Sequence, residues 1–143
     1  PREIYELEIG RAAVRRAGRD ATLVAASYMA FEAVKAAETL SREGIDVELI
    51  DLRTIKPLDK ETIVASVRKT GRLVIADGGW RSFGVTAEVA AVASEEAFDS
   101  LKAPIRRVTL PDCPAPASSS LERVYYPSSA DIVSAVRQAV QAT

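Results

Sequence analysis

Histidine is absent from this chain, and cysteine occurs once among its 143 residues. Without histidine there is no Ser-His-Asp arrangement, the commonest general base is missing, and most zinc sites are ruled out. That weighs against an active site contained wholly within the chain. The single thiol, Cys113, leaves no internal disulfide framework, which fits a reducing compartment. Charge of one sign is also missing: 19 basic and 20 acidic residues give a formal net charge of -1, so neither nucleic acid nor an anionic membrane is expected as a partner. The longest apolar runs fall far short of the roughly 20 residues that a spanning helix needs. The opening P-R-E-I-Y-E-L has no signal-peptide pattern. Neither G-x-G-x-x-G nor G-x-x-x-x-G-K-[ST] occurs, which removes the usual dinucleotide and nucleoside triphosphate sites. The expectation is one soluble, cytoplasmic domain.

What is present alternates between strand and helix patterns. Ala12 to Arg15 reads as a weak edge strand closed by the turn Gly18-Arg19-Asp20. Thr22 to Ala26 is a short apolar run of the kind buried on both faces of a sheet. A helix is predicted over 29–43, with Ala30, Ala33, Val34, Ala37 and Leu40 inward and Glu32, Lys35, Glu38 and Arg42 opposite, stopped by Gly44. A strand over 46–50 leads through D-L-R-T-I-K-P-L-D, Asp51 to Asp59, into a helix over 60–70 capped by Asp59 and stopped by Gly71. Leu73 to Ala76 is the next strand, followed by Asp77-Gly78-Gly79-Trp80 and a largely buried helix over 85–94. Ile105 to Thr109 is a further strand, and Leu110 to Tyr126, rich in proline and serine, reads as an irregular connection. Pro127 precedes a last helix capped by Ser128 or Ser129, with Ile132, Val133, Val136 and Val140 on one face. The alternation predicts a mostly parallel sheet covered on both sides by helices. Pro1, with no methionine before it, predicts a fragment: residues 1–9 as the remnant of an interdomain linker and 10–143 as the domain.

Ligands of open α/β sheets sit beyond the C-terminal strand ends, which would bring Ser27, Tyr28, Asp51 and Asp77 together. The two carboxylates serve there as small-molecule contacts or simply as turn and cap residues. In Asp77-Gly78-Gly79-Trp80-Arg81, an exposed Trp beside an Arg is the pair enriched at protein interfaces, and the glycines let the backbone present it. The other reading is a buried Trp closing the top of the sheet. Glu88 is read either as a carboxylate buried against a partner or as an exposed helix residue. Arg53 and Lys56 either contact an adjoining subunit or belong to a solvated loop. Cys113, between prolines with no basic neighbour, is expected to be a passive thiol, and Tyr125-Tyr126-Pro127 a packing anchor.

D-L-R-T-I-K-P-L-D, together with R-L-V-I-A-D-G-G-W from Arg72 to Trp80, F-G-V-T-A-E from Phe83 to Glu88 and L-K-A-P-I-R-R-V from Leu101 to Val108, resembles the C-terminal domain of the transketolase family. The wording is most similar to the β subunit of thiamine-diphosphate-dependent 2-oxo acid dehydrogenases. The resemblance spans nearly the whole chain and implies a five-stranded α/β/α sandwich, mostly parallel, with one antiparallel edge strand. It implies a non-catalytic assembly and partner-docking role in an enzyme of oxidative decarboxylation. The G-D-G motif that holds diphosphate and metal in that family is missing, so this domain is expected to bind no cofactor; thiamine diphosphate and magnesium belong to the whole enzyme. Implied partners are the rest of the same β subunit, a second β subunit, an α subunit or α-like domain, and a lipoyl acyltransferase subunit-binding domain. Two departures matter. Lys102 stands where many pyruvate dehydrogenase β subunits have an acidic docking residue, and Ala117 where a tyrosine is common. Candidate interface or docking residues are therefore Arg53, Lys56, Asp77, Trp80, Arg81, Phe83, Glu88 and Lys102. The alternatives are a transketolase or deoxyxylulose-phosphate-synthase C-terminal domain and, from another class, a receiver-like or flavodoxin-like binding module. Receiver chemistry needs an acidic pair where this chain has Ser27-Tyr28.

Overall fold

Alternate residues of the apolar strands face opposite ways, so each buried strand needs cover on both sides. The structure, a computed structural model, describes residues 5–142 and supplies that cover. Its strands are β1 (Ala13–Arg16), β2 (Ala21–Ala25), β3 (Val47–Asp51), β4 (Leu73–Trp80) and β5 (Arg106–Leu110). The main helices are α1 (Tyr28–Arg42), α2 (Lys60–Thr70), α3 (Val85–Glu96), α4 (Ser119–Tyr125) and α5 (Ser129–Gln141). The sheet order is β1-β3-β2-β4-β5, with β1 antiparallel to β3 and every other pair parallel. This is the mostly parallel, helix-covered sheet that the alternation of elements predicts, with the one antiparallel edge strand that the family resemblance implies. Pro1 to Ile4, within the expected linker remnant, lie outside the described residues.

Leu23, Val47, Leu49, Val74 and Val108 point to one face, where they pack with Met29, Ala33, Ala36 and Leu40 of α1 and Ile132, Val133 and Val136 of α5. Val24, Ile50, Leu73 and Ile75 point to the other, against Ile63, Val64 and Val67 of α2 and Val89, Val92 and Ala93 of α3. Helix ends follow the sequence signals. The Asp59 side chain accepts from the Thr62 N–H at 3.1 Å, Gly71 closes α2 in the left-handed conformation, and Ser128 forms a capping box with Asp131.

Three expectations need correction. Glu32 is not on the solvent face of α1: it is only 6 % exposed, and the inward stripe is Met29, Ala33, Ala36, Ala37 and Leu40, with Val34 turned outward. The shift of roughly one position arises because α1 packs on α5 as well as on the sheet, which widens the buried face beyond one stripe. β4 does not end at Ala76. It continues to Trp80, which pairs with Leu110 after an irregularity, and Gly78-Gly79 occupy the irregular stretch, a usual place for strand glycine. The segment 110–126 is not irregular throughout, since Ser119–Tyr125 forms α4.

Candidate assembly surface

The candidate site is built on the strap that leaves β4. Asp77 is buried, and its Oδ2 accepts the Gly79 N–H at 3.0 Å, so this carboxylate holds its own turn. Asp51 behaves in the same way: Oδ1 accepts the Arg53 N–H at 3.2 Å and Oδ2 lies 3.8 Å from Arg53 Nε. Arg53 therefore has its charge partly answered within the connector, with its backbone in the left-handed region at φ 55°. The connector is anchored further by Thr54 Oγ1, which accepts the Gly10 N–H and donates to the Pro57 carbonyl. Lys56 is exposed, next to the half-exposed Ile55.

Beyond Gly79 the strap turns outward. Trp80 is 57 % exposed and Phe83 fully so, which settles the indole as a presented side chain rather than a lid on the sheet. The indole and the backbone leading to Phe83 are held by hydrogen bonds. Trp80 Nε1 donates to the Tyr125 hydroxyl at 3.4 Å, and that hydroxyl donates to the Cys113 carbonyl at 2.7 Å. The Arg81 N–H donates to the Leu110 carbonyl at 3.1 Å. Ser82 donates from N and Oγ to the two oxygens of Asp112, at 2.9 and 2.7 Å. Those two bonds, with Arg81 and Arg107 nearby, hold the Asp112 carboxyl below its ordinary value. Trp80 and Phe83 share a recess of about 320 Å³ with Ser82, Asp112, Cys113 and Pro114. Arg81 is split from them and lines the neighbouring groove along β5. Cys113, exposed on the rim of the recess, and Asp112 are contributors that sequence reasoning did not place there. Their signal was the P-D-C-P spelling, which marks a turn without saying what it turns against.

The other sequence-predicted residues lie apart. Glu88 is exposed on the first turns of α3. Lys102 is exposed beside a separate recess lined by Phe98, Asp99, Leu101 and Pro104. Its N–H donates to the Gly71 carbonyl at 2.7 Å, and its side chain lies over Gly71, where an added Cβ would come within 2.8 Å of Cδ.

The donor set at the strand ends does not suit a metal-bound diphosphate. Among the described residues no group of three or more His, Cys, Asp or Glu side chains is placed to hold a metal ion, and Asp51 and Asp77 are engaged by their own turns. No cofactor step is assigned to these residues. No described helix is long and apolar enough to cross a membrane.

Residues 10–132 match the family model described as Transketolase, C-terminal domain. The chain is 44 % identical over 137 residues to the mitochondrial pyruvate dehydrogenase E1 component subunit beta of Dictyostelium discoideum, covering 96 % of this chain and 38 % of that protein. It is 48 % identical over 133 residues to subunit beta-1 of Arabidopsis thaliana, also mitochondrial, covering 93 % and 37 %. Among solved structures, a split gene transketolase described as an inactive beta4 tetramer superposes with a TM-score of 0.80 at 34 % identity, covering 96 % of this chain and 44 % of that one. The chain thus spans about two fifths of the length of the curated relatives it matches.

Proposed function

We propose, because this chain belongs to the transketolase C-terminal domain family, that it is the assembly and docking domain of a thiamine-diphosphate-dependent 2-oxo acid dehydrogenase β subunit, residues 10–143, with 1–9 as linker. The whole enzyme would decarboxylate a 2-oxo acid oxidatively and pass the acyl group to a lipoyl carrier. Thiamine diphosphate and magnesium would be held by its other domains. The observation that carries the reading is the Trp80–Phe83 strap: two large apolar side chains exposed to solvent on a segment whose indole and backbone at Arg81 and Ser82 are held by hydrogen bonds. A surface fixed before contact loses little conformational entropy on association, and exposed aromatics of this kind are frequent interface anchors.

The partners proposed are the remainder of the β subunit, a second β subunit and an α subunit or α-like domain, with Arg53, Lys56, Asp77, Trp80, Arg81, Phe83 and Glu88 as contact candidates. Lys102 is the candidate for an acyltransferase subunit-binding domain, with its charge reversed relative to the usual acidic docking residue. The compartment proposed is cytoplasmic; cell fractionation that places the protein in an organelle would replace it.

Light scattering of the chain across a concentration series tests the assembly role. The expected result is a dimer that the double substitution Trp80→Ser, Phe83→Ser converts to monomer while the far-UV circular dichroism of the folded chain is retained. A chain that stays monomeric at every concentration, or a dimer indifferent to both substitutions, would overturn assembly through this strap.

A further inference from the structure

β5 stands at the edge of the sheet. Only β4 pairs with it among the described residues, so the other side of β5 carries backbone N–H and C=O groups with no strand beside them. A groove follows that side in two parts. The lower part, about 350 Å³, is lined by Arg106, Arg107, Ser134 and Gln138, and the upper, about 680 Å³, by Leu110, Arg123 and Tyr126. Arg81, Val108 and Asp131 line both.

Four arginines therefore border one open strand edge. Among the described residues, none of Arg81, Arg106, Arg107 and Arg123 comes within ion-pair distance of a carboxylate. Arg107 Nη1 donates to the Arg81 carbonyl at 3.0 Å, and Arg106 Nε is buried with no hydrogen-bond partner. The acid lining the groove, Asp131, accepts the N–H and Oγ of Ser128 on Oδ2, both at 2.8 Å, and makes no ion pair with any of the four arginines. Asp112 senses Arg81 and Arg107, yet both its oxygens are taken by Ser82. A buried donor without an acceptor is unfavourable, and a guanidinium fork is best answered by a carboxylate.

We propose that the free edge of β5 receives an extended acidic segment of a partner protein, which adds a strand while its carboxylates pair with Arg81, Arg106, Arg107 and Arg123. Strand addition gives the unpaired backbone groups their partners, and alternate side chains of the segment reach the groove. A second copy of this chain is the wrong occupant. Edge-to-edge pairing of two β5 strands would bring the arginines of one against those of the other, and like charges across paired strands are destabilising. The inference goes beyond the assembly role and does not depend on it.

The test is fluorescence anisotropy with a labelled peptide about ten residues long that alternates Glu and Val, compared with one carrying Lys for every Glu, at roughly 50 and 200 mM salt. The Glu peptide is expected to bind and to weaken as salt rises. It should lose roughly tenfold in affinity to the variant Arg81→Glu, Arg123→Glu, whose two changes lie on exposed side chains. Arg106→Gln, which keeps the fold's charge balance closer to native, should weaken binding while leaving thermal unfolding in place. Amide exchange over 106–110 should slow on binding. No binding of the Glu peptide, equal binding of the Lys peptide, or unchanged β5 exchange would overturn the proposal. So would tighter binding of single-stranded oligouridine at the same arginines, or self-association of the chain through β5.

Discussion

Replacing Glu32 probes the least expected contact in the core. Its Oε1 accepts from Lys35 Nζ at 2.7 Å and from the Tyr28 hydroxyl at 3.1 Å, while Oε2 accepts the Ser129 N–H at 3.0 Å, at the first turn of α5. The Lys35 partner is half-exposed and adds little. The Ser129 bond is different, because a carboxylate at a helix N-terminus answers one of the free N–H groups there. A hydrogen bond to a charged group in a buried position is worth about 1.5–3 kcal/mol, so Glu32→Ala should destabilise by about that much. At about 2–4 °C per kcal/mol for a domain of this size, the melting temperature should fall by about 3–12 °C. Glu32→Gln keeps an acceptor for Ser129 and should cost about half as much. Urea unfolding followed by far-UV circular dichroism should show a lower midpoint with the same slope. The Lys35 bond, aided by the Ser129 N–H and Tyr28 and opposed by burial, holds the Glu32 carboxyl below its ordinary 4.5. A folded-state pKa below the unfolded one contributes stability above about pH 4.5 that disappears as pH falls through the folded value. The gap between native chain and Glu32→Gln should therefore close in acid. A Glu32→Ala chain within about 0.5 kcal/mol of native at pH 7, or a Gln gap that does not narrow as pH is lowered progressively below 4.5, would refute the reasoning.

Three further outcomes are expected. Asp59→Ala removes the cap on Thr62 and the acceptor of the Ala12 N–H, at 2.9 Å, and should destabilise by about 1–2 kcal/mol in thermal unfolding. Burial alone would raise the Asp59 carboxyl, yet those hydrogen bonds outweigh it and hold the group below 3.8, so its contribution is present above that pH and lost as pH falls through the lower folded value. Gly71→Ala puts a Cβ on a residue at φ 73° and against Lys102, and should cost about 1 kcal/mol or more, read as a lowered urea midpoint. Calorimetric titration with a basic acyltransferase subunit-binding domain should show stronger binding to Lys102→Asp than to the native chain; equal affinity would remove Lys102 from the docking surface.

Most of the scaffold was legible because local and long-range signals agree. Asp59, Gly71 and Ser128 stop or start helices by rules that depend on a few neighbouring residues, and the apolar alternation of β2 and β3 fixes two covered faces. Where reading failed, the deciding partner was far away in the chain. Glu32 looks like a solvent residue until α5 arrives to be capped by it. α4 is only 7 residues long, and Leu121 and Val124 point outward while Tyr125 alone is buried, so no apolar period marks it. At the candidate site the wording around Trp80 left a presented and a buried indole both open, and only the structure decides for the presented one. The separation of Arg81 from Phe83 was hidden, because it depends on how far β4 runs before it twists away from β5.

The bond from Glu32 to Ser129 joins positions 97 apart, and it marks an order of events at the ribosome. α2 and α3 follow closely on strands they cover, so both helices over the face formed by Val24, Ile50, Leu73 and Ile75 precede β5 in order of synthesis. The opposite face has only α1 over it until Ser129–Gln141 emerges. During that interval Val108 and its neighbours lack Ile132, Val133 and Val136, and the Glu32 carboxylate waits without the amide it will hold. A chain lacking α5 would leave that face uncovered, and exposed apolar surface of this kind is what makes incompletely folded chains prone to aggregate. Synthesis of α5 closes that interval, and a stall within its codons would leave the half-roofed form to accumulate.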